Sequence, residues 1–236
     1  MQVTIVLPTY NEADNIQRLL PLLLELPDNV RVCVVDDRSP DGTGQIADDW
    51  AAREPRVTVV HRAGKLGLGT AYIAGFRHAL ARNADAVLTM DADFSHHPRY
   101  IPAMLEKAGQ ADLVIGSRYT PGGKVNYPFH RRALSRTANL VARTALGLHA
   151  QDCTAGFRLY RDYTLTSVPL DRIFSNGYSF LVEMLTLMEA RGYRAVEVPI
   201  VFDDRRYGQS KISSREIVKA MYTVLRLAAR RATGHL

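Results

Sequence analysis

The chain has 236 residues, 47% hydrophobic and 23% charged, the balance of a soluble globular protein with one large domain. It has only two cysteines, Cys33 and Cys153. No run approaches the roughly 18 uninterrupted apolar residues of a membrane span, and Met1 leads into a strand rather than a signal peptide, so a reduced, cytoplasmic protein is expected. The formal charge of +6 is unevenly divided: residues 1–117 hold 11 Lys/Arg against 15 Asp/Glu, net −4, and residues 118–236 hold 19 against 9, net +10.

In chain order, residues 3–7, 30–35, 57–60, 86–90 and 113–115 are short apolar runs rich in β-branched residues. Amphipathic segments at 13–26, 43–53, 69–82 and 98–108 alternate with them. Asn11 is an expected N-cap, and Pro98 suits a first helical turn. This alternation predicts a mostly parallel sheet flanked by helices, with ligands beyond the carboxyl ends of the strands. The residues there read "PTYNE", "DDRSPDGTG", "RAGKLGLG", "DADFSHHP" and "GSRYTPGG". After residue 123 the spacing predicts a basic helix over 131–148, a strand near 158, an apolar helix over 180–191 and a strand over 195–201. The last helix, 213–231, places Ile217, Met221, Val224, Leu225 and Ala228 broadly on one face. Lys219, Arg226, Arg230 and Arg231 are its cations. The pattern is one domain with a C-terminal elaboration, its acidic half (1–117) followed by a basic half (118–236).

Asp91 and Asp93 end a buried strand. Two carboxylates this close repel unless a cation or a proton lies between them, and their oxygens suit Mg²⁺ or Mn²⁺. Asp36 and Asp37 end the second strand, where carboxylates commonly receive a ribose or base. Asp41 belongs to a turn. "GKLGLG" matches neither the dinucleotide fingerprint nor the Walker loop, and GxSxG, HExxH and paired CxxC do not occur.

The segments "PTYNE", "VVDDRSPDGTG", "GLGTAYIAGF", "MDADFSHHP", "GSRY", "SRTAN", "DCTAGFRLY" and "RRYGQSK" resemble those of family 2 glycosyltransferases, in order. Within that family the chain resembles the polyprenol (dolichyl) phosphate mannose synthases, in a short form without transmembrane helices. The resemblance implies a glycosyltransferase A-type, Rossmann-like fold and an inverting transfer of mannose from GDP-mannose to a polyprenyl phosphate. It implies that Pro8, Tyr10, Glu12, Asp36, Asp37 and Ala92 hold the donor, and that Asp91 and Asp93 bind the divalent ion and the diphosphate. Arg118, Arg131 or Arg132, and Ser135 match positions that grip the lipid phosphate. Arg205 and Lys211 match a loop closing over both phosphates. Some relatives place Gln where Ser95 stands.

A phosphate monoester has a second pKa of about 6, so it is largely dianionic at neutral pH. Such an acceptor is already a nucleophile and needs arginines to place it rather than a base to activate it. An acidic first half facing a basic second half has that layout. Asp152 either orients the arginines or only shapes a turn. His96 and His97 are expected to shape the loop over the donor. The basic helix 213–231 suits an anionic membrane surface at the cytoplasmic face, and it equally suits packing on the sheet with its cations exposed. UDP-glucose is the alternative donor. A pI near 9.4 raises a nucleic-acid binder as another class, but the basic residues gather in Gly- and Ser-bearing loop motifs, so no nucleic-acid partner is expected. The intact D-x-D argues against a silent scaffold.

Overall fold

The computed structural model describes residues 1–126, 128–203 and 214–233. The first half alternates as read: β1 (Val3–Thr9), α1 (Ala13–Leu24), β2 (Val30–Asp36), α2 (Thr43–Ala51), β3 (Val57–His61), α3 (Leu68–Ala81), β4 (Ala86–Thr89), a 3₁₀ turn (Pro98–Tyr100), α4 (Ile101–Lys107) and β5 (Leu113–Ser117). The second half adds β6 (Lys124–Asn126), α5 (Phe129–Leu146), β7 (Arg158–Arg161), α6 (Asp162–Ser167), α7 (Tyr178–Ala190), β8 (Ala195–Pro199), β9 (Val201–Asp203) and α8 (Ser214–Ala232).

Seven strands form one sheet in the order β3-β2-β1-β4-β7-β5-β8, and β6 pairs with β9 separately. All pairings are parallel except those of β7, which runs antiparallel between β4 and β5. This reversal positions the site. Arg158, the first residue of β7, sits opposite Thr89 and Ile115 near the carboxyl ends of their strands. The loop that precedes β7 therefore enters at the edge where the other loops leave.

Period-two alternation sends neighbouring strand residues to opposite faces. Val6, Cys33 and Val35 join the core under α3 and α7. Ile5, Leu7, Val32 and Val34 join the core under α1 and α4. Burial pushes the thiols of Cys33 and Cys153 up to about 12, which leaves them inert. Helix α3 lies so close to β1 that a Cβ on Gly75 would stand 2.3 Å from Val6 Cγ1. Gly75→Ala is expected to cost about 1–3 kcal/mol by overpacking, read as a lower denaturant midpoint at unchanged slope. An unchanged midpoint would show that helix and strand separate freely.

Two expectations need correction. Asn11 is not the cap of α1: its φ is +60°, in the left-handed region, and Glu12 holds the cap position. The capping comes from the neighbouring loop, where Ser39 Oγ, Thr43 Oγ1 and Asp41 Oδ2 accept the N–H groups of Asn11, Glu12 and Ala13. The apolar residues of α8 do not share one environment either. Thr223, Val224 and Leu227 are buried, whereas Met221 and Leu225 are exposed. α8 packs on α5 and α7, and the Arg231 guanidinium donates to the Leu146 carbonyl at the end of α5. Among the described residues, no helix is long and apolar enough to cross a membrane.

Candidate active site

The D-x-D loop leaves β4 and is held by its own side chains. Asp93 is 5% exposed, and its Oδ1 accepts the Ser95 hydroxyl at 2.6 Å and the Ser95 N–H at 3.1 Å. Phe94 between them takes a left-handed φ of +63°. Ser95 thus orients Asp93. The Asp91 side chain is 29% exposed, while Ala92 is buried.

His96 is a structural wedge. It is buried, stacks on Phe157 with ring centroids 5.1 Å apart, and meets Phe202 edge-on at 5.4 Å. Its Nδ1 accepts the Asp91 N–H at 3.0 Å. That bond requires an unprotonated Nδ1, so the 3.8 Å approach to Asp91 Oδ2 is not an ion pair. Burial pushes the imidazole pKa down, against the pull of Asp91 and Asp93. His97 caps the 3₁₀ turn by accepting the Arg99 N–H. Both histidines shape the loop.

On the other side of β1, Asp36 and Asp37 differ in environment. The Asp36 carboxylate accepts the Thr9 hydroxyl and both the N–H and hydroxyl of Ser39. Asp37 Oδ1 lies 2.7 Å from Arg62 Nη1 with both side chains 8% exposed, yet neither atom makes an aligned hydrogen bond. Burial raises the Asp37 pKa, with Arg62 opposing and Asp36 adding to the rise. The ion pair thus sets a carboxylate and a guanidinium side by side just beyond the end of β2. Nearby, Lys65 Nζ lies 4.3 Å from the Tyr10 ring centroid. Glu12 Oε2 accepts from Asn15, and Pro8 pairs with Val35 one residue before the end of β1.

The basic side is built on Arg118, just past β5. Asp152, fully buried in the loop before β7, takes three of its N–H groups: the backbone N–H at 3.0 Å, and Nε and Nη2 at 2.7 Å each. Burial pushes the Asp152 carboxyl up, but the Arg118 charge and hydrogen bonds outweigh it and hold the group below its usual value. Glu197 on β8 fixes that loop by accepting the N–H groups of Gln151 and Asp152 at 2.9 Å each. Thr154 Oγ1 accepts from Arg118 and Asn139, and the Tyr119 hydroxyl donates to Ser135. Asp152 therefore orients Arg118.

Arg118 opens onto a pocket of about 220 Å³ lined by Gly123, Lys124, Val125, Asn126, Arg132 and Arg136. Of the two alternatives, Arg132 lines the pocket and Arg131 does not, because adjacent helical residues point about 100° apart. The sequence reading missed Lys124 and Arg136. Arg136 was legible as the i+4 partner of Arg132, whereas Lys124 had no signal. Tyr119 carries Arg118 and Arg136 over its ring, at 5.3 and 5.9 Å. Arg205 and Lys211 lie outside the described residues. The two sides meet around His96, which holds the Asp91 N–H on one side and packs on Phe202 on the other. Phe202 lies between its ring and the Arg118 guanidinium, 5.4 Å from each. A second cavity, lined by Arg31, Arg56 and Arg82, sits at the opposite, amino end of the strands, away from these groups.

A mostly parallel sheet with carboxylates and arginines gathered at its carboxyl edge is the architecture of the glycosyltransferase A-type fold. The solved structures agree: glucosyl-3-phosphoglycerate synthase from Mycobacterium tuberculosis, in complex with Mn²⁺, UDP and glucosyl-3-phosphoglycerate, superposes with a TM-score of 0.67 at 22% identity, over 97% of this chain and 80% of that one. Its complex with Mg²⁺ and UDP gives 0.70 at 21% identity, over 97% and 79%. The sequence model of glycosyl transferase family 2 matches residues 4–166, and the chain belongs to that family. It is 48% identical over 233 residues to the undecaprenyl-phosphate mannosyltransferase of Micrococcus luteus, spanning 98% of this chain and 96% of the relative. It is 44% identical over 223 residues to the polyprenol monophosphomannose synthase of Mycolicibacterium smegmatis, spanning 93% and 84%.

Proposed function

We propose that the protein moves mannose from GDP-mannose to a polyprenyl phosphate at the cytoplasmic face of a membrane, giving polyprenyl phosphate mannose and GDP with inversion at the sugar carbon. The observation that carries this reading is the meeting, through His96 and Phe202, of the Asp91–Asp93 loop with the Arg118 pocket. The names of the two curated relatives support the sugar and the lipid acceptor.

The donor's nucleoside lies over Pro8, Tyr10 and Glu12. The Asp37–Arg62 ion pair faces it, while Asp36 shapes the loop beneath and Ala92 floors the site. Asp91 and Asp93 hold Mg²⁺ or Mn²⁺. Their all-oxygen donor set would fit either ion, which would supply positive charge at the donor diphosphate. The metal complexes of the structural neighbour support this choice. When bound, the ion neutralises the departing diphosphate.

Arg118, Arg132, Arg136 and Lys124 grip the acceptor phosphate, with Ser135 fixed beside them by Tyr119. The phosphate oxygen attacks the anomeric carbon from the side opposite the diphosphate. The new C–O bond forms as the old one breaks, and both electrons of the old bond leave with GDP. The dianionic acceptor carries no proton that must be removed. Arg205 and Lys211 close over both phosphates in this scheme.

The test is turnover of GDP-mannose and of UDP-glucose at equal concentration with one polyprenyl phosphate. Faster release of GDP than of UDP, by roughly 100-fold or more, is the expected outcome, since mismatched base contacts leave buried polar atoms unpaired. Equal or reversed rates would assign the enzyme another donor.

A further inference from the structure

Among the described residues, ten large apolar side chains are exposed, and seven of them lie on the neighbouring helices α5 and α8. On α5 they are Phe129, Leu134, Leu140 and Val141. On α8 they are Met221, Tyr222 and Leu225. Exposed apolar surface concentrated in this way marks an interaction face rather than scattered surface residues.

The face has an ordered charge pattern. At about 100° per residue, the exposed apolar residues of α5 gather opposite its buried Asn139, Ala142 and Leu146. Arg132, Arg136 and Arg143 follow one border of that exposed side, and Arg131 stands at the other. The 18 residues of α5 include no Asp or Glu, and neither do residues 219–232 of α8, which carry Lys219, Arg226, Arg230 and Arg231. Arg132 and Arg136 also line the phosphate pocket. The pocket therefore opens along the border of the apolar face.

We infer that the joint α5–α8 face lies on an anionic lipid bilayer, with its apolar side chains in the headgroup–acyl boundary and its arginines on lipid phosphates. An anionic membrane matches both parts of the pattern, the apolar centre and the cationic border. A second copy of the chain would bring like charges together across the contact. The inference rests on a polyprenyl phosphate being the acceptor and adds how that lipid is reached: its phosphate enters the pocket from the side while the chain stays in the leaflet.

The experiment is flotation with phosphatidylcholine vesicles, with and without phosphatidylglycerol. Wild type is compared with a Leu134→Gln/Leu140→Gln/Leu225→Gln variant, whose changes are all at exposed positions and whose fold is checked by its melting temperature. Wild type is expected to float with the anionic vesicles, less so as salt rises, and the variant to bind roughly tenfold more weakly. Transfer to a long-chain lipid phosphate embedded in vesicles should fall in parallel. Transfer to a short, water-soluble polyprenyl phosphate should not change.

Undiminished flotation of the variant would overturn the inference. So would equal partition into neutral and anionic vesicles, or a wild-type dimer in solution that the variant breaks. Flotation requires no sugar transfer. Lack of turnover with either acceptor would therefore refute the proposed reaction, and the docking face would still be judged by flotation.

Discussion

Asp91→Ala is expected to reduce mannosyl transfer by roughly 1,000-fold or more, with a melting temperature close to wild type. The Asp91 side chain is 29% exposed, so its replacement chiefly removes charge at the diphosphate. Removing a single preorganised electrostatic contact from an active site typically costs about 10²–10³-fold, and a metal ligand at a leaving diphosphate belongs at the upper end of that range. Asp93 calls for a gentler change because its Oδ1 anchors Ser95. Asp93→Asn retains an acceptor for that turn and should still lose most of the activity. If either variant turned over at near-wild-type rate in the same divalent ion, the metal role of these carboxylates would be wrong.

The second large effect concerns Arg118 and Asp152. Arg118→Ala removes the partner of a fully buried carboxylate, and breaking such a pair costs about 3–5 kcal/mol. Activity should vanish along with the phosphate grip. Stability and chemistry can then be separated. Replacing both residues with apolar side chains of similar volume, Arg118→Met with Asp152→Leu, should recover part of the stability, the residue-118 backbone N–H still lacking its acceptor, and none of the transfer. Recovery of transfer in that double variant would remove Arg118 from the mechanism.

The pair also sets a pH dependence. The folded-state pKa of Asp152 lies below its ordinary 3.8. Its contribution to stability is therefore complete above that value and is lost as pH falls through the lower folded-state pKa. In denaturant titrations across that acid range, wild type should lose stability more steeply than the double variant.

The parallel half of the fold was legible because each strand there is apolar on both faces and ends in a polar loop. Val6 and Cys33 face one helix layer, and Ile5 and Val32 face the other. β7 is harder to read. "RLYR" begins and ends in arginine, and Arg158 is nevertheless fully buried. Its guanidinium donates to the carbonyls of Cys153 and Leu181, partners that no local pattern announces. Asn11 had the right chemistry for a cap, but side chains from residues 39–43 supplied the hydrogen bonds first.

The site shows the same division. Asp91, Asp93 and Arg118 stand at strand ends and could be picked out by position. Asp152 could be named, but its role was open until the reversal of β7 put it under Arg118. The choice between Arg131 and Arg132 depended on the rotation of α5, and Lys124 joins the pocket through the β6–β9 pairing. Met221 and Leu225 fit the periodicity of a buried stripe. Only the packing of α8 on α5 and α7 shows that its buried seam runs through Val224 and Leu227 instead.

The most direct test follows the sugar itself. Purified protein is incubated with mannose-labelled GDP-mannose, a polyprenyl phosphate and Mg²⁺ or Mn²⁺, and then extracted with organic solvent. Label should pass into the organic phase only when lipid phosphate and divalent ion are both present, and Asp91→Ala should leave it in water. Label that stays aqueous with the wild-type protein, or that moves without a lipid phosphate, would contradict transfer to a polyprenyl phosphate.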